Sequence, residues 1–155
     1  MSCCNKESVT NMASKTILRK IISTALAPKP IAPYNQAIVA DRTVYVSGCL
    51  GVDKDTGKLV GGGIQSEARQ ALKNLGHVLD AAGSSYEKVV KTSLFLNDIN
   101  DFSAVNEVYK EFFKKDFPAR SAYQVGKLPA GANVEIEVVA LSGDVETVTA
   151  VDSKL

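Results

Sequence analysis

Between residues 64 and 82, apolar side chains return at three- and four-residue steps: Ile64, Ala68, Ala71, Leu72, Leu75, Val78, Leu79 and Ala82, with Gly83 immediately after. This is the one-sided stripe of an amphipathic helix that ends at a glycine. A second stripe of Phe102, Val105, Tyr109, Phe112 and Phe113 predicts another helix. Its aromatic face reads as packing against a sheet rather than as a ligand box. Strand-like runs surround the two helices. Residues 17–23 read as a first strand, and 36–39 with 43–47 as a hairpin turning at Asp41-Arg42. Residues 88–96 are β-branched and apolar enough for a buried strand, while 120–125 and 134–141 supply two more. In the last run Val134, Ile136, Val138 and Ala140 alternate with Glu135, Glu137, Val139 and Leu141.

The order strands, helix, strand, helix, strands predicts an α+β fold, a mixed β-sheet with two helices packed on one face. Proline-broken 27–30 and the stretch 54–57 read as turns. Gly61-Gly62-Gly63 lacks the lysine and serine or threonine that a phosphate loop places after its glycines, so it reads as a hinge before the helix. With no third helix, the sheet's second face needs a cover. Burial against copies of the same chain meets that need.

The chain has 155 residues, 45% hydrophobic and 23% charged, which suits one domain with a proper core. We expect an N-terminal extension over 1–16, a single domain over 17–143 and a flexible, acidic and threonine-rich tail over 144–155. Eighteen basic and seventeen acidic side chains leave a formal charge of +1, which argues against nucleic acid and membrane partners and for a small-molecule or protein partner. Cys3, Cys4 and Cys49 are odd in number and lack metal-ligand spacing, so a reducing, cytoplasmic setting fits. For a mitochondrial presequence, basic residues are few before Arg19 and Glu7 is out of character. Met12 is an alternative start. His77, the only histidine, falls opposite the apolar stripe, which removes triad and imidazole-metal chemistry.

Candidate chemistry starts at Phe117-Pro118-Ala119-Arg120-Ser121, where a proline stiffens the approach to a strand and holds an arginine. A held guanidinium is a two-pronged carboxylate clamp, or it simply pairs with Asp116. Glu135 and Glu137 share one side of the last strand and either enter a polar cleft or face solvent. Cys49 is either a reactive thiol or a small buried hydrophobe.

Arg120 occurs together with Ile31-Ala32-Pro33-Tyr34-Asn35-Gln36-Ala37, Val46-Ser47-Gly48, Asn100-Asp101-Phe102 with Val105-Asn106, and Val134-Glu135-Ile136-Glu137. In this order and at these separations the motifs resemble the Rid (YjgF) family, specifically its RidA-type 2-iminobutanoate/2-iminopropanoate deaminases, over roughly residues 17–143. The resemblance implies a homotrimer with active sites between subunits and no metal or organic cofactor. It implies hydrolysis of reactive imines released by pyridoxal-phosphate enzymes to 2-oxo acids and ammonia. On the same ground Arg120 anchors the substrate carboxylate, and Glu135 orients the water or the imine. Tyr34 forms a wall, Ser47 and Gly48 let the backbone approach, and Asn106 lies near the pocket. Outside the resemblance, Tyr34 reads equally as turn packing, Gly48 as a bulge and Asn106 as a surface polar residue. Many members carry glutamine where this chain has Cys49, and some bacterial ones carry cysteine where it has Ala122. The other function classes are an endoribonuclease that inhibits translation, as ascribed to animal relatives, and a non-catalytic sensor of small carboxylates or a protein-binding module.

Overall fold

The computed structural model describes residues 16–150. The expected extension over 1–16, apart from Thr16, with Cys3, Cys4 and the alternative start at Met12, lies outside the described residues, as does the end of the expected tail, 151–155. Six strands form one sheet: β1 (Arg19–Ile22), β2 (Ala37–Ala40), β3 (Thr43–Leu50), β4 (Val89–Leu96), β5 (Ala119–Gln124) and β6 (Val134–Leu141). Their spatial order is β1-β2-β3-β6-β4-β5, and every pairing is antiparallel except β4 with β5. Helices α1 (Ile64–Ala81) and α2 (Phe102–Phe112) cover one face.

The helix stripes become the core. Ala68, Ala71, Leu72, Leu75 and Leu79 of α1 and Val105 and Val108 of α2 are fully buried against Val44, Leu94, Leu96, Val134, Ile136 and Ala140. Each valine, leucine or isoleucine among them contributes roughly 1.5–3 kcal/mol when removed from water, and each alanine less. Gly63 caps the start of α1 at φ 81°, and Gly83 follows its end at φ 70°, left-handed conformations that disfavour a side chain. Arg69 on α1 and Glu111 on α2 join the helices through paired contacts of 2.8 and 2.5 Å.

β1 is shorter than its apolar pattern suggests because β2 offers only four partners. β3 is longer than expected. Val46 pairs with Val138, but the next rung is Cys49 with Ile136, so β3 carries one extra residue there, a β-bulge. The bulge swings Ser47 and Gly48 out of the regular ladder and turns Cys49 inward against the core.

The uncovered face is more polar than the strand patterns imply. Its stripe Ile21–Ile38–Tyr45–Val139 is apolar, with Ile21 59% and Tyr45 52% exposed. Beside it lie Lys91, Ser93, Ser121 and Glu137, and Lys91 Nζ donates to Ser121 Oγ at 2.7 Å. Residues 144–150 carry no regular structure, and Arg42 Nη2 donates to the carbonyl of Asp144. No described helix is long and apolar enough to cross a membrane.

Candidate active site

Pro118 ends the link from α2, and Arg120 follows as the second residue of the edge strand β5. It pairs in register with Thr92, whose side chain is buried on the helical face, so Arg120 points to that face too. There its guanidinium lies 4.8 Å from the ring centre of Tyr109 and 5.5 Å from that of Phe102. Stacking on two rings restrains the fork and leaves its N–H edges for a ligand. Tyr109 is itself fixed, its hydroxyl within 3.1 Å of Thr92 Oγ1 and its ring stacked on Phe113. Among the described residues no carboxylate, Asp116 included, forms an ion pair with Arg120.

Arg120 separates two shallow clefts. One, of about 410 Å³, is lined by Asn106, Tyr109, Phe117, Pro118 and the ion pair of Lys110 with Glu107. The other, of about 560 Å³, is lined by Ile99, Asn100, Phe102 and Ala122. Ser103 and Arg120 border both. Asn106 Oδ1 is buried without a hydrogen-bond partner, an acceptor that a ligand N–H would satisfy.

A second cluster forms on the other face of the sheet. Glu135 alternates with the buried Val134 and Ile136, and its carboxylate reaches back over the bulge of β3. A Cβ added to Gly48 would stand 1.8 Å from Glu135 Oε1, so the missing side chain is what admits the carboxylate. Ser47 stitches the bulge to the loop before β2: its N–H donates to the carbonyl of Gln36 at 3.1 Å and its Oγ to that of Asn35 at 2.7 Å. Tyr34 precedes Asn35 and is 45% exposed. Gln36 is buried, and its amide fastens Thr24, Ala27 and Pro28. Desolvation, and secondarily the like charge of Glu137, push the Glu135 carboxyl above its ordinary range. The Cys49 thiol is pushed up to about 12 by burial and then by Glu135, which favours the buried-hydrophobe reading over the reactive one.

The structure therefore groups the candidates into two half-sites: Arg120 with Asn106, and Glu135 with Gly48 and Ser47, next to the loop that carries Tyr34. In one chain they do not meet. Arg120 faces the helices from the sheet edge, Glu135 faces away from them, and β4 runs between their strands.

Sequence reasoning missed Glu67 and Asn74, buried polar residues on α1. Glu67 accepts the backbone N–H of Asn133 at 2.6 Å and of Val134 at 3.2 Å, and Asn133 Nδ2 at 3.0 Å. Asn74 Nδ2 donates to the carbonyls of Leu50 at 3.0 Å and Val52 at 2.8 Å. A signal was present, because both occupy three- and four-residue steps of the α1 stripe where the pattern calls for apolar side chains.

The model of the endoribonuclease L-PSP family matches residues 24–142. The chain is 67% identical over 134 residues to the RutC family protein UK114 of Drosophila melanogaster, covering 86% of this chain and 97% of that one. It is 54% identical over 132 residues to the 2-iminobutanoate/2-iminopropanoate deaminase of Homo sapiens, covering 85% and 96%. Among solved structures, TdcF of E. coli with bound serine superposes with a TM-score of 0.76 at 38% identity, covering 80% of this chain and 99% of that one.

Proposed function

The chain belongs to the endoribonuclease L-PSP family, the Rid family of the sequence motifs, and from that premise we propose that it hydrolyses 2-iminobutanoate and 2-iminopropanoate to 2-oxo acids and ammonia. The observation that carries this reading is the unpaired Arg120 guanidinium stacked on Tyr109 beside the buried, unpartnered oxygen of Asn106. Together they suit a small ligand with a carboxylate and a neighbouring N–H. The serine bound to TdcF and the activity named for the human relative belong to the same class of small amino or imino acids.

In the proposed reaction Arg120 grips the carboxylate and Asn106 Oδ1 accepts an imine N–H. Glu135 takes a proton from water as its oxygen bonds to the imine carbon and the C=N π pair moves to nitrogen. That proton passes to the nitrogen to give a carbinolamine; the hydroxyl proton then follows it to nitrogen as the C–N bond breaks, so that ammonia leaves and the oxygen closes to C=O. Imines already hydrolyse in water, so orientation and one well-placed acceptor supply what is needed.

Because Arg120 and Glu135 face opposite sides of the sheet, we place the reacting centre between subunits of a homotrimer. One copy supplies Arg120 and Asn106. Its neighbour supplies Glu135, Gly48, Ser47 and Tyr34. The apolar stripe Ile21–Ile38–Tyr45–Val139 supports this arrangement, since burial against a copy removes it from water. The near-neutral charge and the cysteine pattern support a cytoplasmic setting.

The test is to generate 2-iminobutanoate with threonine dehydratase, trap it with semicarbazide and measure whether the protein lowers the trapped fraction. Turnover is expected, and its absence at micromolar protein would overturn the deaminase reading. The shared site has its own test. Arg120→Ala and Glu135→Gln chains, each inactive, are mixed and reassembled. A cyclic trimer with sites between copies should regain about a quarter of wild-type turnover, whereas sites within one chain would regain none.

A further inference from the structure

Glu67 and Asn74 lie seven positions apart on α1, two helical turns, so they stand on the same line of the face turned toward the sheet. Both are nearly inaccessible, 4% and 3% exposed, in an otherwise apolar stripe. A buried carboxylate is costly unless its lone pairs are met, and here three N–H donors meet them. Removing either side chain would leave buried polar groups of the strand ends without partners.

What the two residues grip is specific. Glu67, an acceptor, takes the N–H groups of Asn133 and Val134, where β6 begins. Asn74, a donor, takes the carbonyls of Leu50 and Val52, where β3 ends, and Gln70 Nε2 holds its Oδ1 at 2.9 Å. These groups bracket the last rung between the two strands, Leu50 with Glu135. Gly51, the residue after that rung, lies so close to α1 that an added Cβ would stand 2.5 Å from the carbonyl oxygen of Glu67 and 2.8 Å from its Cα. The strand ends are pressed onto the helix where its polar groups catch them.

We propose that Glu67 and Asn74 are positioning residues that clamp the β3–β6 rung from behind the sheet and so hold the Glu135 carboxylate over Gly48. Neither touches substrate. Each acts through the backbone, and the kinetic part of the inference rests on the deaminase reading. A bulge makes such a clamp useful, because the extra residue in β3 loosens the ladder between Val46 and Cys49.

The test compares full-length wild type with Glu67→Ala, Glu67→Gln, Asn74→Leu and a stability control on the same helix, Val78→Ala. Amide hydrogen exchange is read first. Protection at Glu135 and Ile136 should fall roughly tenfold in Glu67→Ala while β5 stays as in wild type, and Glu67→Gln, which retains one acceptor oxygen, should lie between. In turnover, kcat should fall roughly tenfold in Glu67→Ala with KM within about twofold, since the Arg120 clamp lies on another strand. Val78→Ala should lower the melting temperature and leave kcat alone. A folded Glu67→Ala that matches Val78→Ala in exchange and kcat would overturn the proposal. If Glu67→Ala does not fold, Glu67→Gln and Asn74→Leu provide the same comparison. Wild-type protein without turnover overturns the deaminase reading, and the exchange comparison then decides the positioning role by itself.

Discussion

Gly48 and Glu135 occupy one space: the carboxylate oxygen of Glu135 sits where a Cβ of residue 48 would be, 1.8 Å from it. The obstruction is the end of a flexible side chain, so Gly48→Ala should fold, with a melting temperature only a few degrees lower. The carboxylate must nevertheless swing away. A displacement on the order of 1 Å at a reacting group costs about 10²-fold in rate, and that loss is expected in kcat. Thermal melts and the semicarbazide assay on one preparation check both halves, and undiminished turnover would show that the close approach is incidental.

Arg120 is exposed and unpaired, so its removal should affect binding far more than folding. Arg120→Lys keeps the charge but loses the planar fork and the stacking on Tyr109. Loss of a bidentate charge-assisted pair, about 3 kcal/mol, corresponds to roughly 10²-fold in kcat/KM. Tyr109→Phe preserves the ring beneath the guanidinium and gives up only the hydroxyl bond to Thr92, so it should retain most activity. A lysine variant as active as wild type would remove the clamp from the mechanism.

Burial, then Glu137, raises the Glu135 carboxyl. In the proposed reaction Glu135 acts in its ionised form, so the acid limb of the pH–rate profile should lie above the ordinary glutamate value of about 4.3. Glu137→Gln removes a like charge and should move that limb downward. The linked stability has the opposite sense. The folded state binds this proton more tightly than the unfolded chain, so the group favours folding below about pH 4.3 and loses that advantage as pH rises through its raised value. Glu135→Gln should therefore raise the melting temperature near neutral pH more than in acid. A limb unmoved by Glu137→Gln would mean that another group titrates there.

With its thiol pushed up to about 12, Cys49 should have a thiolate fraction on the order of 10⁻⁵ at neutral pH. Brief iodoacetamide treatment followed by peptide mapping should leave Cys49 unmodified in native protein and alkylated in guanidinium. Rapid native alkylation would contradict the packing of this half-buried side chain against the core.

The helices, the hairpin and β6 were legible from local pattern because each buries one face, and burial of one face imposes a period that the chain itself displays. α1 was expected over 64–82 and ends at Ala81, while β6 was expected over 134–141 and spans Val134–Leu141. The family motifs were equally plain, and the comparisons bear them out. The bulge in β3 was not fixed by its own alternation, because it is defined against a partner strand far along the chain. The stripe of Phe102 and Tyr109, expected to serve only the core, also forms the platform beneath Arg120.

The sequence by itself determined which residues could do chemistry, since a guanidinium, a carboxylate and a missing side chain are properties of residue type. The periodicities also determined most of the elements that carry them. Only the tertiary structure decided that Arg120 and Glu135 look out from opposite faces of the sheet, and that two polar residues of α1 hold the strand ends behind Glu135. Facing is a matter of register between strands distant in sequence, and no local pattern records which rung of one strand meets which rung of another.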